Sequence, residues 1–169
     1  MSDPKSSAPE EAAGGMRNST SPVPNIFPSP ESMRPTLIGE NYSVVAGHPL
    51  VSMIAADVLE RGGTAIDAGV AAGLASNVIQ ADMCNLGGVA PIALRLAGSD
   101  EAWSISGVGS WSREVTLESY IDRHKGDMPL GAACSVVPAA LDAWVTALSR
   151  FGTWSFGEVA APALRYAEE

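Results

Sequence analysis

A helix built from small residues is the feature that most constrains the fold. Residues 65–79 read AIDAGVAAGLASNVI, in which alanine, glycine and serine occupy positions on several faces. Gly69 and Gly73 each destabilise a helix by roughly 1 kcal/mol relative to alanine, so the sequence predicts close approach of another element. The same G-x-x-x-G spacing occurs in membrane helix dimers, but Asp67 and the short length disfavour a membrane helix. We expect this helix to be buried against a sheet.

The preceding segment ends one helix and begins the next. Pro49 suits the first position of a helix. Leu50, Ile54 and Val58 follow at every fourth residue and form one apolar stripe along it. In the run RGGT, Gly62 can adopt the left-handed conformation that ends a helix. Thr64 then caps the following helix, and with Asp67 three residues later it forms a T-x-x-D capping box.

Short extended segments predict a small antiparallel sheet. The run YSVVA, residues 42–46, carries aromatic and β-branched residues between turn signals and is interpreted as a buried strand. The runs at 92–96 and 102–106 alternate between apolar and polar residues and are joined by a turn, which predicts a hairpin with one buried face. Three strand candidates and about five helices indicate an α+β fold.

Three further helices are predicted downstream. Thr116 caps a short helix that Gly126 ends. Ser155 and Glu158 form an S-x-x-E box that opens the last helix, which we expect Pro162 to interrupt. Between them lies an amphipathic helix whose apolar residues recur at i, i+3, i+4 and i+7: Leu141, Trp144, Val145 and Leu148.

Composition divides the chain into two regions. Residues 1–33 hold six of the twelve prolines and are interpreted as a disordered tail, which leaves 34–169 as one folded domain. Met1, Met16 and Met33 stay open as alternative starts.

Charge and residue spacing exclude several classes of function. The net charge of −9 disfavours a nucleic-acid groove or an anionic membrane surface as a partner. We find neither a signal peptide nor an apolar run long enough to span a membrane, and expect a cytoplasmic protein. Cys84, Cys134, His48 and His124 lack the spacing of metal ligands, so neither a metal nor a cofactor is expected.

The residue types alone show little chemistry. The chain carries no G-x-S-x-G, Walker or H-E-x-x-H motif. The pair Gly87–Gly88 can cradle an oxyanion or phosphate, but such a pair is more often a turn. Asp82, Asn85 and Arg113 fit solvated loop residues, and no histidine is spaced to activate a hydroxyl or thiol.

Two stretches resemble the γ-glutamyltransferase (γ-glutamyl transpeptidase) family. Residues 44–88, VVAGHPLVSMIAADVLERGGTAIDAGVAAGLASNVIQADMCNLGG, are similar to its strand, His-Pro helix start, R-x-G-G-N-A-x-D-A-x-V-A-A segment and glycine loop. Thr64 replaces the family's usual asparagine, which is also a capping residue. Residues 135–169, SVVPAALDAWVTALSRFGTWSFGEVAAPALRYAEE, resemble its V-P-G, R-F-G-T and P-A-x-x-x-A-E-E elements. The similarity runs from about Pro35 to Glu169.

The resemblance implies an incomplete N-terminal nucleophile hydrolase. That fold is a four-layer αββα sandwich, and its precursor cuts itself to expose a threonine whose own α-amine serves as base. This chain matches the early part of the large subunit only, and its abrupt end at Glu169 agrees with that interpretation. The resemblance therefore implies no catalytic residue in this chain. Its implied partners are the remainder of the large subunit and the nucleophile-bearing small subunit.

One segment bears on the substrate. In the family, a D-G-R-E segment after the second hairpin strand supplies an arginine that binds the glutamyl α-carboxylate. Aligned without gaps, this chain has Ser106, Gly107, Val108 and Gly109 there, and valine cannot replace the bidentate contact of arginine. Arg113 follows five residues after Val108. We assign Val108, Gly109 and Arg113 as substrate-binding candidates and expect a small amide other than a γ-glutamyl compound.

Two functions from different classes stay open. The first is the N-terminal segment of an amidohydrolase that hydrolyses or transfers a small amide through a threonine outside this chain. The second is a non-catalytic remnant or accessory module that packs on a partner chain through its small-residue helix.

Overall fold

The computed structural model describes residues 38–169, which form five α-helices, a two-stranded hairpin and a 3-10 turn at Ala132–Cys134. This composition confirms the α+β prediction, whereas the predicted tail at 1–33 lies outside the described residues. The helices and strands, in chain order, are α1 Pro49–Glu60, α2 Ala65–Ile79, β1 Ile92–Arg95, β2 Ala102–Ile105, α3 Leu117–His124, α4 Ala140–Phe151 and α5 Phe156–Glu168.

The junction between α1 and α2 has the predicted local chemistry. Pro49 is the first residue of α1, and Gly62 has a φ of +89° just after the helix ends. The Thr64 hydroxyl accepts a hydrogen bond of 3.2 Å from the Asp67 backbone N–H, while the Asp67 carboxylate accepts one of 2.7 Å from the Thr64 N–H. The predicted capping box is thus confirmed.

Helix α2 lies at the centre of the core, but its main neighbours are helices. It packs against α1, α4 and α5, so the prediction of burial against a sheet is wrong. A Cβ added to Gly73 would lie 2.8 Å from the indole nitrogen of Trp144, whereas one added to Gly69 would meet nothing within 4 Å. The core residues from these helices include Ile54, Val58, Val70, Leu74, Leu148 and Val159.

The antiparallel hairpin is confirmed, but its predicted buried face is only partly confirmed, because Trp103 is 40% exposed. β1 pairs antiparallel with β2, with Ile92 opposite Ile105, and both residues pack against the helical core. The strand predicted before α1 is wrong. Residues 42–46 form no strand, because no described segment offers them a hydrogen-bonded neighbour. Val44 nevertheless packs on the core, while Val45 is 93% exposed.

Two details of the last helices also differ from the sequence prediction. Helix α5 continues through Pro162 rather than being interrupted there, since a missing N–H removes only one backbone bond from a helix that is otherwise packed on α2. Helix α4 buries a face of alanines together with Leu148, whereas Leu141 and Val145 are 41% and 44% exposed. Part of the predicted apolar stripe therefore faces away from the described core.

Residues 38–169 contain neither a membrane-spanning helix nor a group of metal ligands. No helix in this range is long and apolar enough to cross a membrane. The same range contains no group of three histidine, cysteine or acidic side chains placed to hold a metal ion.

Candidate functional site

A fully buried carboxylate, that of Asp67, joins two distant parts of the chain. Of its two oxygens, Oδ2 accepts hydrogen bonds from both the N–H and the hydroxyl of Thr64, each at 2.7 Å. The carboxylate also accepts bonds from the N–H and hydroxyl of Thr153, both at 2.8 Å, and from the Trp154 N–H at 3.1 Å. The start of α2 is thereby tied to the loop between α4 and α5.

The same bonds determine the charge of Asp67. Burial raises the pKa of its carboxyl, but the hydrogen bonds from Thr64, Trp154 and Thr153 outweigh burial and lower the pKa to about 2. The group is therefore an anion at neutral pH with its acceptor positions filled. We assign it a structural role, because a carboxylate in this state cannot act as a general acid or base at neutral pH.

The neighbouring Gly152 explains part of the R-F-G-T resemblance. A Cβ at Gly152 would lie 2.7 Å from the Asp67 carboxylate and 2.6 Å from the Leu148 side chain. Glycine therefore allows Thr153 to approach the carboxylate. This contact is not predictable from the sequence, since Asp67 and Thr153 lie 86 residues apart and their spacing carries no local signal.

The turn after β2 contains two of the three substrate-binding candidates. Gly107 has a φ of +54°, and its carbonyl accepts a hydrogen bond of 2.8 Å from the Ala90 N–H. Gly109 has a φ of +83°, and a Cβ there would lie 1.9 Å from the Val137 carbonyl oxygen. The Ser110 carbonyl accepts a bond of 2.9 Å from the Val137 N–H. The turn is thus fixed between two other segments, and both glycines are required by geometry.

The Gly87–Gly88 pair forms a turn, as the more common interpretation predicted. The Gly88 N–H donates to the Asn85 carbonyl at 3.0 Å. The Gly88 carbonyl accepts from the N–H groups of Ala139 and Ala140 at 3.4 and 3.3 Å. This loop therefore caps the first turn of α4 and holds it beside the turn at Gly107.

The three candidates do not converge in one cavity. Val108 lies between Gly107 and Gly109, with its side chain 43% exposed. Arg113 is exposed on the loop that leads to α3, and it forms no ion pair with any residue in the range 38–169. Neither residue lines the cleft formed by the intervening Trp111 and Ser112.

Comparison with known proteins agrees with the resemblance seen in the sequence. The family model described as Gamma-glutamyltranspeptidase matches residues 51–169. The acylase ACY 1 proenzyme of Pseudomonas sp. (strain SE83) is 33% identical over 161 residues, which cover 89% of this chain and 28% of that protein. The glutathione hydrolase proenzyme of Bacillus subtilis (strain 168) is 30% identical, with coverage of 78% and 23%. The chain thus spans about a quarter of the length of these relatives.

The fold agrees as well. The crystal structure of Helicobacter pylori gamma-glutamyltranspeptidase matches 78% of this chain and 38% of that one, with a TM-score of 0.68 and 27% identity. The α+β arrangement of residues 38–169 is accordingly an incomplete part of that fold. Because the family model covers more than half of the sequence, the chain belongs to the gamma-glutamyltranspeptidase family of N-terminal nucleophile hydrolases.

Proposed function

We propose that this chain is the N-terminal segment of the large subunit of an amidohydrolase whose nucleophilic threonine lies outside it. The small share of each proenzyme that the chain spans supports this proposal. Within residues 38–169, the hydrogen bond made by a histidine side chain is that of His48 with the Leu50 N–H, so no hydroxyl or thiol there is paired with a histidine base. Its proposed partners are the remainder of the large subunit and the small subunit.

We infer that the substrate is a small amide without the α-carboxylate of a glutamyl group. The exposed Val108 side chain carries this inference, since the two flanking glycines fix it on a rigid turn. An apolar side chain provides no charge-assisted hydrogen bond to a carboxylate. A relative that is named as an acylase rather than a glutathione hydrolase supports the same inference.

A second candidate function is a non-catalytic module that packs on a partner chain. The exposed apolar stripe on α4 favours it, because Leu141 and Val145 lie one turn apart on the same helix face without cover from the described chain. Both functions therefore require more polypeptide at this face. They differ in whether the assembled protein turns over an amide.

The deciding experiment compares the chain alone with the chain plus the downstream or neighbouring coding segment. We expect no amide hydrolysis by residues 1–169 and hydrolysis once a segment that begins with a processed threonine is supplied. Among substrates, a short uncharged amide should give a higher kcat/KM than a γ-glutamyl anilide. Turnover by the isolated chain contradicts the proposed location of the nucleophile, and an assembled protein inactive on all amides favours the module.

A further inference from the structure

A cleft of about 450 Å³ lies between α3 and the segment around Ala132–Cys134. This volume falls within the range of small-molecule sites. One wall is an aromatic cluster in which the Tyr120 ring lies 4.6 Å from Trp111 and 4.5 Å from His124, centroid to centroid, with the ring planes tilted by 42° and 49°. All three side chains are half-buried, so part of this aromatic surface is open to a ligand.

Hydrogen bonds within the chain join the two walls of the cleft and fix the start of α3. The Tyr120 hydroxyl donates to the Ala133 carbonyl at 3.3 Å and lies 3.2 Å from the Met128 sulfur. Thr116 and Ser119 form a reciprocal capping box at the start of α3, with bonds of 3.0 and 3.1 Å. The shape is therefore preorganised, which reduces the entropy lost on binding.

The charges of α3 are divided between its faces. Its basic residues Arg123 and His124 line the cleft, whereas its acidic residues Glu118 and Asp122 do not. Glu114 lines the cleft from the preceding loop, but Arg123 pairs neither with it nor with any other residue in the range 38–169. An unpaired guanidinium beside aromatic rings suits a carboxylate carried on a flat group, since arginine binds carboxylates bidentately.

We propose that this cleft binds an aromatic carboxylate, with the ring stacked against the Trp111 wall and the carboxylate paired with Arg123. The opposing explanation is that the aromatic cluster only fixes the loop at Ala133 to α3. The proposal does not rest on the amidohydrolase function, because the residues that form the site all belong to this chain. Its test therefore needs no catalysis.

The test uses ligand-observed saturation-transfer NMR to measure the binding of three probes to the full 169-residue chain. Benzoate carries both ring and charge, cyclohexanecarboxylate lacks the flat ring, and benzamide lacks the charge. We expect benzoate to bind at least about threefold more tightly than either of the others, because one aromatic contact or one charged pair contributes about that much to affinity. Equal binding of cyclohexanecarboxylate overturns the stacking, and equal binding of benzamide overturns the role of Arg123.

The chain offers a matched control for the variants. The Trp103 ring packs against Phe151 with their centroids 5.5 Å apart, beside Arg150, which gives a second tryptophan and arginine outside the cleft. Trp111→Ala and Arg123→Gln should each weaken benzoate binding about threefold to tenfold, whereas Trp103→Ala and Arg150→Gln should leave it unchanged.

Two results overturn the proposal even where a variant fails to fold. The first is an Arg123→Gln chain that melts like the unaltered chain and binds benzoate equally well. The second is the absence of saturable benzoate binding up to ~50 mM, beyond the range expected for a fragment-sized ligand. If Trp111→Ala unfolds the chain, the Arg123→Gln variant and the comparison of the three probes decide whether the proposal stands.

Discussion

The Asp67 carboxylate accepts a hydrogen bond of 2.8 Å from the backbone N–H of Thr153, 86 residues further along the chain. The contact joins the first turn of α2 to the loop that precedes α5. Because the carboxylate is fully buried, hydrogen bonds from Thr64, Thr153 and Trp154 stabilise its charge in place of water. The first two predictions follow from this contact.

Asp67→Asn should lower the free energy of unfolding by about 2–4 kcal/mol, since the amide keeps one acceptor oxygen and turns an NH₂ group toward other donors. Urea unfolding at neutral pH measures the loss. Asp57→Asn is the matched control, because Asp57 is exposed and its ion pair with Arg61 should contribute less than about 1 kcal/mol. Equal losses in the two variants contradict the assigned role of Asp67.

The stabilisation by Asp67 should depend on pH in the acid range. The folded-state pKa of about 2 lies below the ordinary value of 3.8, so the contribution is fully present above pH 4. It is lost as the pH falls from about 4 toward 2, and it amounts to about 2 kcal/mol. The measurement is the stability gap between the unaltered chain and Asp67→Asn at several pH values. A gap that stays constant between pH 5 and 2 contradicts the lowered pKa.

Alanine should have opposite effects at the two glycines of α2. At Gly73 the added Cβ would lie 2.8 Å from the Trp144 indole, and overpacking should destabilise the chain by about 1–3 kcal/mol despite the better helix propensity. At Gly69 nothing lies within 4 Å, so alanine should stabilise the chain by up to about 1 kcal/mol. Thermal melts of the two variants measure the difference. The same sign at both positions contradicts the described packing.

Val108→Arg should raise the ratio of kcat/KM for a γ-glutamyl amide over an uncharged amide by roughly tenfold to a hundredfold in the assembled enzyme. A charge-assisted pair contributes about 1.5–3 kcal/mol, and each power of ten requires about 1.4 kcal/mol. Val45→Arg is the matched control, since Val45 is exposed and lies outside the turn. If the unaltered enzyme already favours the γ-glutamyl compound, Arg113 becomes the leading candidate for binding the carboxylate.

The apolar stripe at α4 should cause the isolated chain to self-associate. Glutamate at both Leu141 and Val145 should reduce the apparent mass in sedimentation and leave the melting temperature within a few degrees, because both side chains are partly exposed already. Arg150→Glu changes the net charge by the same two units at an exposed position on another face of the same helix, and it should leave association unchanged. A monomeric unaltered chain contradicts this prediction.

The features that the sequence predicted correctly are local ones. The capping boxes at Thr64 and Ser155 depend on residues three apart, and the hairpin depends on alternation across a short turn. The neighbour of Gly73 was not predictable in this way, because Trp144 is brought to it by packing between α2 and α4. The prediction of a site at Val108 and Arg113 came from resemblance alone, since their side chains are exposed and have no periodic signal.

The 86-residue separation between Asp67 and Thr153 also matters during synthesis of the chain. When α1 and α2 leave the ribosome, Asp67 has Thr64 as a donor but not yet Thr153 or Trp154. At ordinary synthesis rates the missing donors follow after roughly 4–17 s. During this delay the charged Asp67 side chain lies on a pair of helices whose apolar faces are not yet covered by α4 and α5. Water therefore has to hydrate the carboxylate until the R-F-G-T segment has been translated and the core can form.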